Sequence, residues 1–399
     1  MAKTAKSLFH TLPHCFLRSQ LFKPNCRNLS SHVKYSIEVN NQKDFLRVSL
    51  KSRVLNLSFE YLLDNNVHSF DPISSQRMEN IVDVNQNVDL IDWRLNDDNK
   101  LELFWGDKRT TFFDLSLLEE SSKLKQVFWD SSSFNKLIWS RAIDVNGLNG
   151  SECEKSMDQF YGLFARYGVV FVKNVEANES ATKKLCEKMG IISRTYYGAD
   201  MWTVAADGKH ADTFATNLAI RTHTDNTYFD APLGVQVFHC LSHDGSGGET
   251  LLVDGLNISR LLRQKDQKSY NTLTRVPIRY RYLDPGKAMF KASGPMITEE
   301  CEGFPSLKQF RYNDYDRDID QSHLSLEDQR AFFKALRKAA ILIQSPENEV
   351  TLKLSPGLVV FIDNWRVLHG RNSFTGNRVL CGCYMERHDW RSKAALAQF

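Results

Sequence analysis

Between residues 38 and 118, apolar positions recur at every second residue in short runs: Arg47-Val-Ser-Leu, Val54-Leu-Asn-Leu-Ser-Phe-Glu-Tyr, Lys100-Leu-Glu-Leu-Phe-Trp and Thr110-Thr-Phe-Phe. A period of two turns one face of a pleated strand toward a core. Polar stretches such as Leu95-Asn-Asp-Asp-Asn-Lys separate the runs, so the pattern predicts a small β-rich module over 36–125. Residues 126–140 read as a Ser- and Lys-containing connector, and from 141 to 399 the texture changes. Residues 151–167 have helical spacing, with Met157, Phe160, Tyr161 and Phe164 on one face. Gly168-Val-Val-Phe-Val then reads as a buried strand and Ser180–Met189 as a second helix.

Beyond residue 230 come Gly234-Val-Gln-Val-Phe-His-Cys-Leu, Gly248-Glu-Thr-Leu-Leu-Val-Asp, Pro277-Ile-Arg-Tyr-Arg-Tyr, Leu358-Val-Val-Phe-Ile-Asp and Val379-Leu-Cys-Gly-Cys-Tyr, each of strand character. Residues 325–343 form one amphipathic helix with Asp328, Phe332, Phe333 and Leu336 on its face. Many short strands and few helices predict a mainly β fold with flanking helices, a sandwich or jelly roll. No internal repeat is visible.

Composition changes this picture little. The 399 residues are 42% hydrophobic and 25% charged, as in ordinary globular chains. A net charge of +3 without a clustered basic face gives no case for nucleic acid, and no apolar run is long enough for a membrane helix. The charge is unevenly placed, however. Residues 1–37 hold Lys3, Lys6, Arg18, Lys23, Arg27 and Lys34 before the first acid, Glu38. An acid-free, basic, Ser-containing start over 1–35 predicts a mitochondrial targeting segment; a basic tail is the alternative. Cysteines 15, 26, 153, 186, 240, 301, 381 and 383 include no Cys-x-x-Cys pair. They read as reduced thiols.

The chemistry concentrates at Arg221-Thr-His-Thr-Asp-Asn-Thr-Tyr-Phe. In extended chain, residues i and i+2 point to one side, so His223 and Asp225 can reach one ion. Two imidazoles and a carboxylate on one face of an octahedral iron leave three positions for a 2-oxo acid and dioxygen. The second imidazole is available at His369, in Phe361-Ile-Asp-Asn-Trp-Arg-Val-Leu-His-Gly-Arg, 146 residues downstream. Arg378 opens the next strand and offers a guanidinium fork to the distal carboxylate of 2-oxoglutarate. Thr250, after Gly247-Gly248, offers a hydroxyl. Taken singly, each has a structural reading: His369 as a turn histidine, Arg378 as a surface ion pair.

The run His223-Thr-Asp-Asn-Thr-Tyr-Phe, with Gly-Gly-Glu-Thr-Leu-Leu-Val-Asp-Gly, Arg311-Tyr-Asn-Asp-Tyr-Asp-Arg and the His369 segment, resembles the carnitine-biosynthesis dioxygenases over about 140–390. These are Fe(II)/2-oxoglutarate oxygenases of the γ-butyrobetaine dioxygenase family. The resemblance implies a double-stranded β-helix and Fe(II), 2-oxoglutarate and O2, with ascorbate as reductant. It implies hydroxylation of Nε-trimethyllysine at C3, with release of succinate and CO2. It also implies a mitochondrial matrix location and a homodimer.

Carried over by the resemblance, Arg371 and Asn217 complete the 2-oxoglutarate set. Tyr197, Trp202 and Tyr384 match an aromatic cage for the quaternary ammonium, which has no hydrogen-bond donor and is best held by ring faces. Asp200 is an extra residue between the first two, and Ala215 stands where relatives carry a tyrosine; Phe214 or Tyr196 can compensate. The alternative for these aromatics is plain core. Asp212 and Asn313 match the contacts to the substrate's other end. An anion at Asp212 suits the α-ammonium of trimethyllysine and repels the lone carboxylate of γ-butyrobetaine; its alternative is a solvated loop carboxylate. Asp64-Asn-Asn-Val-His-Ser-Phe-Asp-Pro contains no cysteine where relatives carry a zinc knuckle, so no structural zinc is expected at His68. The rival functions are γ-butyrobetaine hydroxylation and a catalytically silent jelly-roll binding protein.

Overall fold

The computed structural model describes residues 35–40, 44–50, 54–84, 88–96, 99–118, 125–149, 152–196, 200–205, 216–300 and 307–397. Of the expected leader, all but Tyr35 lies outside the described residues. The chain divides into two compact units, Met1–Ser121 and Ser122–Phe399.

In the first unit, β1 (Ser36–Val39), β2 (Phe45–Ser49) and β3 (Val54–Ser58) form one antiparallel sheet; β4 (Leu90–Leu95), β5 (Lys100–Trp105) and β6 (Thr110–Asp114) form another. Alternation decides which side chains turn inward: Leu46 and Val48 of β2 and Leu101, Leu103 and Trp105 of β5 are buried. The run from Val54 does not stay extended to Tyr61. Ser58 accepts the Tyr61 N–H and starts helix α1 (Phe59–Asp64), whose Phe59, Leu62 and Leu63 share a buried face. His68 meets Phe112 edge-on at 5.2 Å. Nearby, Arg77 pairs with Asp64 at 3.1 Å and lies over the Phe70 ring.

The second unit contains β7 (Ile143–Asp144), β8 (Val169–Lys173), β9 (Trp202–Ala205), β10 (Ile220–His223), β11 (Val235–His243), β12 (Thr250–Asp254), β13 (Ile278–Asp284), β14 (Ala288–Gly294), β15 (Ile297–Glu299), β16 (Leu307–Phe310), β17 (Glu349–Leu352), β18 (Val359–Asp363), β19 (Val367–Arg371) and β20 (Arg378–Met385). Its helices are α2 (Phe134–Leu137), α3 (Cys153–Tyr167), α4 (Glu179–Met189), α5 (Gly255–Lys265), α6 (Gln267–Arg275), α7 (Leu326–Ile343) and α8 (Arg387–Leu396). One sheet has the order β7-β8-β18-β11-β20-β9 and the other β10-β19-β12-β17. Successive strands from β9 to β12, and again from β17 to β20, alternate between the sheets. This winding is a double-stranded β-helix of the jelly-roll class.

Strand parity separates three cores. Cys240, Val360 and Ile362 of the larger sheet meet Leu252, Val350 and Val367 of the smaller one between the sheets. The opposite faces of the same strands pack outward. Val237, Val359, Phe361 and Cys383 take Phe160, Tyr161 and Phe164 of α3 and Trp390 of α8. Val253 and Leu368 take the layer of α5, α6 and α7. Each such fully buried side chain contributes about 1.5–3 kcal/mol relative to exposure. By the same parity His369, Arg371, Arg378, Gly382 and Tyr384 turn inward, on the side of Val367 and Leu380.

Three departures from the sequence pattern have physical causes. Residues 126–140 are no loose connector, because Trp129, Phe134 and Ile138 enter the core between the sheets. Trp129 donates its indole N–H to the Tyr167 carbonyl at 2.8 Å and its backbone N–H to Asp254 at 3.0 Å. On α7 the buried face is Phe332, Ala335, Leu336, Ala339 and Ile343; Phe333 is 47% exposed, one residue and hence about 100° further round. Asp328 sits in the first turn, where its N–H is capped by Ser325 and its carboxylate pairs with Arg275. Helices α5 and α6 follow β12 directly. At Gly255 any side chain would meet the Arg366 carbonyl at 2.5 Å, so only glycine allows the chain to enter α5 there.

Candidate metal centre

The site begins with strand register. In the smaller sheet His223 of β10 faces His369 of β19, and Leu252 of β12 lies on the other side of His369. Two histidines far apart in sequence become neighbours, their ring centroids 4.9 Å apart. Thr224, between His223 and Asp225, points away and clamps Tyr312: its N–H donates to the Tyr312 carbonyl at 2.7 Å, and the Tyr312 N–H donates to its hydroxyl at 3.0 Å. Asn226, at φ 57°, then turns the chain, a left-handed conformation that asparagine tolerates better than most residues. Asp225 is thereby held at the strand end.

One ligand atom from each of His223, Asp225 and His369 lies within 4.8 Å of the others. His223 Nε2 stands 3.1 Å from Asp225 Oδ1, and His369 Nε2 stands 3.3 Å from Asp225 Oδ2. His223 Nδ1 is 2.8 Å from the Arg221 carbonyl. A proton there leaves the Nε2 lone pair for a cation, the usual arrangement of a metal-ligating histidine. The His369 Nδ1 is buried and has no hydrogen-bond partner among the described residues. Burial alone would raise the Asp225 carboxyl, yet His369 and His223 hold it far below the usual carboxylate range. Burial would lower His223, but the hydrogen bond and charge of Asp225 raise it. The three residues thus place one negative charge between two neutral-capable nitrogen donors. This donor set fits Fe(II) with three positions left open.

Inside the same barrel lies a second feature, two buried guanidiniums. Arg378 is 5% exposed and has neither an ion pair nor a hydrogen bond among the described residues. Arg371 donates to the Thr216 and Leu218 carbonyls, both at 2.7 Å. Burial first, and Arg378 second, push Arg371 down to about 10; burial also lowers Arg378. Both lie against Phe374, at 4.9 Å for Arg371 and 5.5 Å for Arg378. Like charges buried together are costly unless an anion joins them. Thr250, buried and in register with Arg371, has no hydrogen-bond partner for its hydroxyl among the described residues. Asn217 is exposed, and its carbonyl accepts the Phe374 N–H at 3.1 Å.

The substrate residues expected from the sequence divide. Tyr197 and Asp212, with Phe214 and Ala215, lie outside the described residues. Trp202 crosses Gly382 in register, and a side chain on Gly382 would meet the indole at 2.5 Å. The indole therefore rests on bare backbone and reaches Phe238 at 5.8 Å, whose ring is 5.3 Å from His369. Tyr384 donates its hydroxyl to Asp225 Oδ2 at 2.9 Å. Tyr196 belongs to a separate cluster, donating to Asp284 and packing on Tyr282 and Phe290. Asn313 is 7% exposed; its amide donates to Asp316 at 2.8 Å and its carbonyl accepts the Tyr315 N–H at 2.9 Å.

Sequence reasoning missed four participants. Phe238 and Phe374 carry only the signal of ordinary apolar residues. Asp316 accepts from Asn313 and from Thr227, and its charge contributes to raising His223. Asn364 grips the Asp225 main chain: its carbonyl accepts the Asp225 N–H at 2.7 Å, and its amide donates to the Asp225 and Leu233 carbonyls. The signal for Asn364 was its place in Asp363-Asn-Trp-Arg, a polar turn between two apolar strands.

Residues 138–384 match the family described as taurine catabolism dioxygenase TauD, TfdA family. The chain is 34% identical to a trimethyllysine dioxygenase, mitochondrial, of Rattus norvegicus, covering 90% of this chain and 86% of that protein. Against the protein of that name from Homo sapiens it is 38% identical, covering 75% and 72%. Against the one from Gallus gallus it is 33% identical, covering 88% and 86%.

Proposed function

The chain belongs to the TauD/TfdA dioxygenase family, and from that premise we propose that it hydroxylates Nε-trimethyllysine at C3, using Fe(II), 2-oxoglutarate and O2. The products are 3-hydroxy-Nε-trimethyllysine, succinate and CO2, the opening reaction of carnitine biosynthesis. The observation that carries the chemistry is the convergence of His223, Asp225 and His369 in the same barrel as a buried Arg378 that has no ion pair among the described residues. The likeness over most of the chain to proteins named trimethyllysine dioxygenase carries the substrate. The mitochondrial location that those relatives' names carry supports a mitochondrial site of action, which we place in the matrix.

In this reading His223, Asp225 and His369 hold the iron, which when bound supplies the redox chemistry linking decarboxylation of 2-oxoglutarate to C–H hydroxylation. Arg378 takes the distal carboxylate in a two-pronged, charge-assisted contact, with Thr250 as a second donor and Arg371 adding positive charge. That contact orients the co-substrate and offsets the burial of the guanidinium. Trp202 and the Tyr384 ring, with Tyr197, face the trimethylammonium group as aromatic surfaces. Asp212 takes the α-ammonium, and Asn313, held by Asp316, gives the second polar contact at that end of the substrate. The apolar wall of Trp202 and Phe238 excludes water from the side of His369.

Replacing Arg378 with methionine should raise the KM for 2-oxoglutarate on the order of 30- to 700-fold, the equivalent of about 2–4 kcal/mol. The same change should leave the melting temperature unchanged or higher, because it removes a buried charge that has no counter-ion among the described residues. A KM within threefold of wild type would contradict the assignment. The substrate itself is tested by incubating the protein with trimethyllysine and, separately, γ-butyrobetaine, with Fe(II), ascorbate and 2-oxoglutarate. Mass spectrometry should find one oxygen added faster to trimethyllysine; faster turnover of γ-butyrobetaine would overturn the substrate, and no turnover of either would favour a silent binding protein.

A further inference from the structure

The Tyr384 hydroxyl points at a metal-ligand carboxylate, a use that an aromatic cage does not require. Its oxygen is 2.9 Å from Asp225 Oδ2. Tyr384 lies in β20 with Gln236 of β11 as its register partner, and its neighbours Cys383 and Met385 anchor the strand in the core on the opposite face. The donor therefore stands on rigid sheet. The acceptor is equally fixed, since Asn364 holds both the N–H and the carbonyl of Asp225. The two carboxylate oxygens differ in their partners: Oδ1 lies 3.1 Å from His223 Nε2, whereas Oδ2 lies 3.3 Å from His369 Nε2 and also accepts the Tyr384 hydroxyl.

We propose that Tyr384 is a positioning residue whose hydroxyl occupies Asp225 Oδ2 and so confines Asp225 to a single donor oxygen toward the metal. This rests on the metal-centre reading above. The reason is coordination number. Six positions surround an octahedral cation, and His223 and His369 fill two of them. Were Asp225 to fill two more, only two would remain, too few for a bidentate 2-oxo acid and dioxygen together. Held to one oxygen, the carboxylate leaves three. A hydroxyl bound to the other oxygen enforces this by consuming a lone pair and by fixing the rotation of the carboxylate plane. Tyr384→Phe deletes the hydroxyl and keeps the ring.

The test uses the full chain stripped of metal and titrated with Mn(II), free Mn(II) being followed by electron paramagnetic resonance. Wild type should bind and His223→Ala should not; failure of wild type to bind, or binding by His223→Ala as tight as wild type, would remove the metal centre and this proposal with it. Given that control, Tyr384→Phe should bind Mn(II) about tenfold or more weakly, in the range seen when partners of metal ligands are lost. Its melting temperature should not change. Mn(II) affinity equal to wild type would overturn the proposal while leaving the metal centre intact. So would a fall in melting temperature without a fall in affinity, which would mark the hydroxyl as structural only.

Discussion

His223→Ala should lower 2-oxoglutarate decarboxylation, read as succinate released, by on the order of 10³-fold or more, with the circular dichroism spectrum unchanged. The size follows from what a bound metal contributes, several kcal/mol of stabilisation at the reacting centre, each 1.36 kcal/mol being tenfold. The fold should survive because the strands carrying the ligands are held by other contacts: β10 by its pairing with β19, and Thr224 by Tyr312. Asp225→Ala should behave alike, and more severely than Asn364→Ala, which loosens the same carboxylate without deleting it. Succinate production near the wild-type rate in His223→Ala would refute the iron assignment.

The second large effect is on stability. Arg366 and Asp254 form an ion pair with side chains 1% and 0% exposed. The guanidinium grips the carboxylate through Nε at 2.9 Å and Nη2 at 3.0 Å, and also donates to the Arg166 and Val127 carbonyls. Asp254 in turn accepts the backbone N–H groups of Trp129 and Leu256. The pair thus joins the N-terminal side of the second unit, α3, the start of α5 and the turn into β19. Arg366→Met leaves the carboxylate buried without its counter-charge. The expected loss is about 3–5 kcal/mol, roughly 5–15 °C in melting temperature. Adding Asp254→Leu should recover part of that loss, since two apolar groups tolerate the interior better than one unpaired charge. A single variant within 1 °C of wild type would show the pair to be dispensable.

The partner of Arg366 is invisible in the local sequence. Arginine in an apolar run between strands looks like a surface turn residue, and nothing local reveals a carboxylate 112 residues away. Trp129 was hidden for the same reason: its neighbours Asp130, Ser131, Ser132 and Ser133 carry a connector's composition, while its own side chain fills the space between two sheets. Phe333 and Phe332 have the same hydropathy, and only the direction of α7 against α5 and α6 decides which is buried.

What the sequence determined by itself was local and chemical. Period-two or apolar runs marked about half of the strands, helical spacing marked α3 and α7, and the residue types of His223, Asp225, His369, Thr250 and Arg378 named a chemistry and its co-substrate, because a side chain's donor set does not depend on its neighbours. What only the tertiary structure decided was which of these groups meet, and what each is doing there. The register of β10 on β19 sets His223 against His369. Parity turns Arg378 inward, with no ion pair among the described residues, and the turn after β18 brings Asn364 to Asp225. It also gave the Tyr384 hydroxyl to the metal-ligand carboxylate. The physical reason is that strand periodicity fixes faces within a strand, whereas partner choice depends on packing free energies summed across residues distant in the chain.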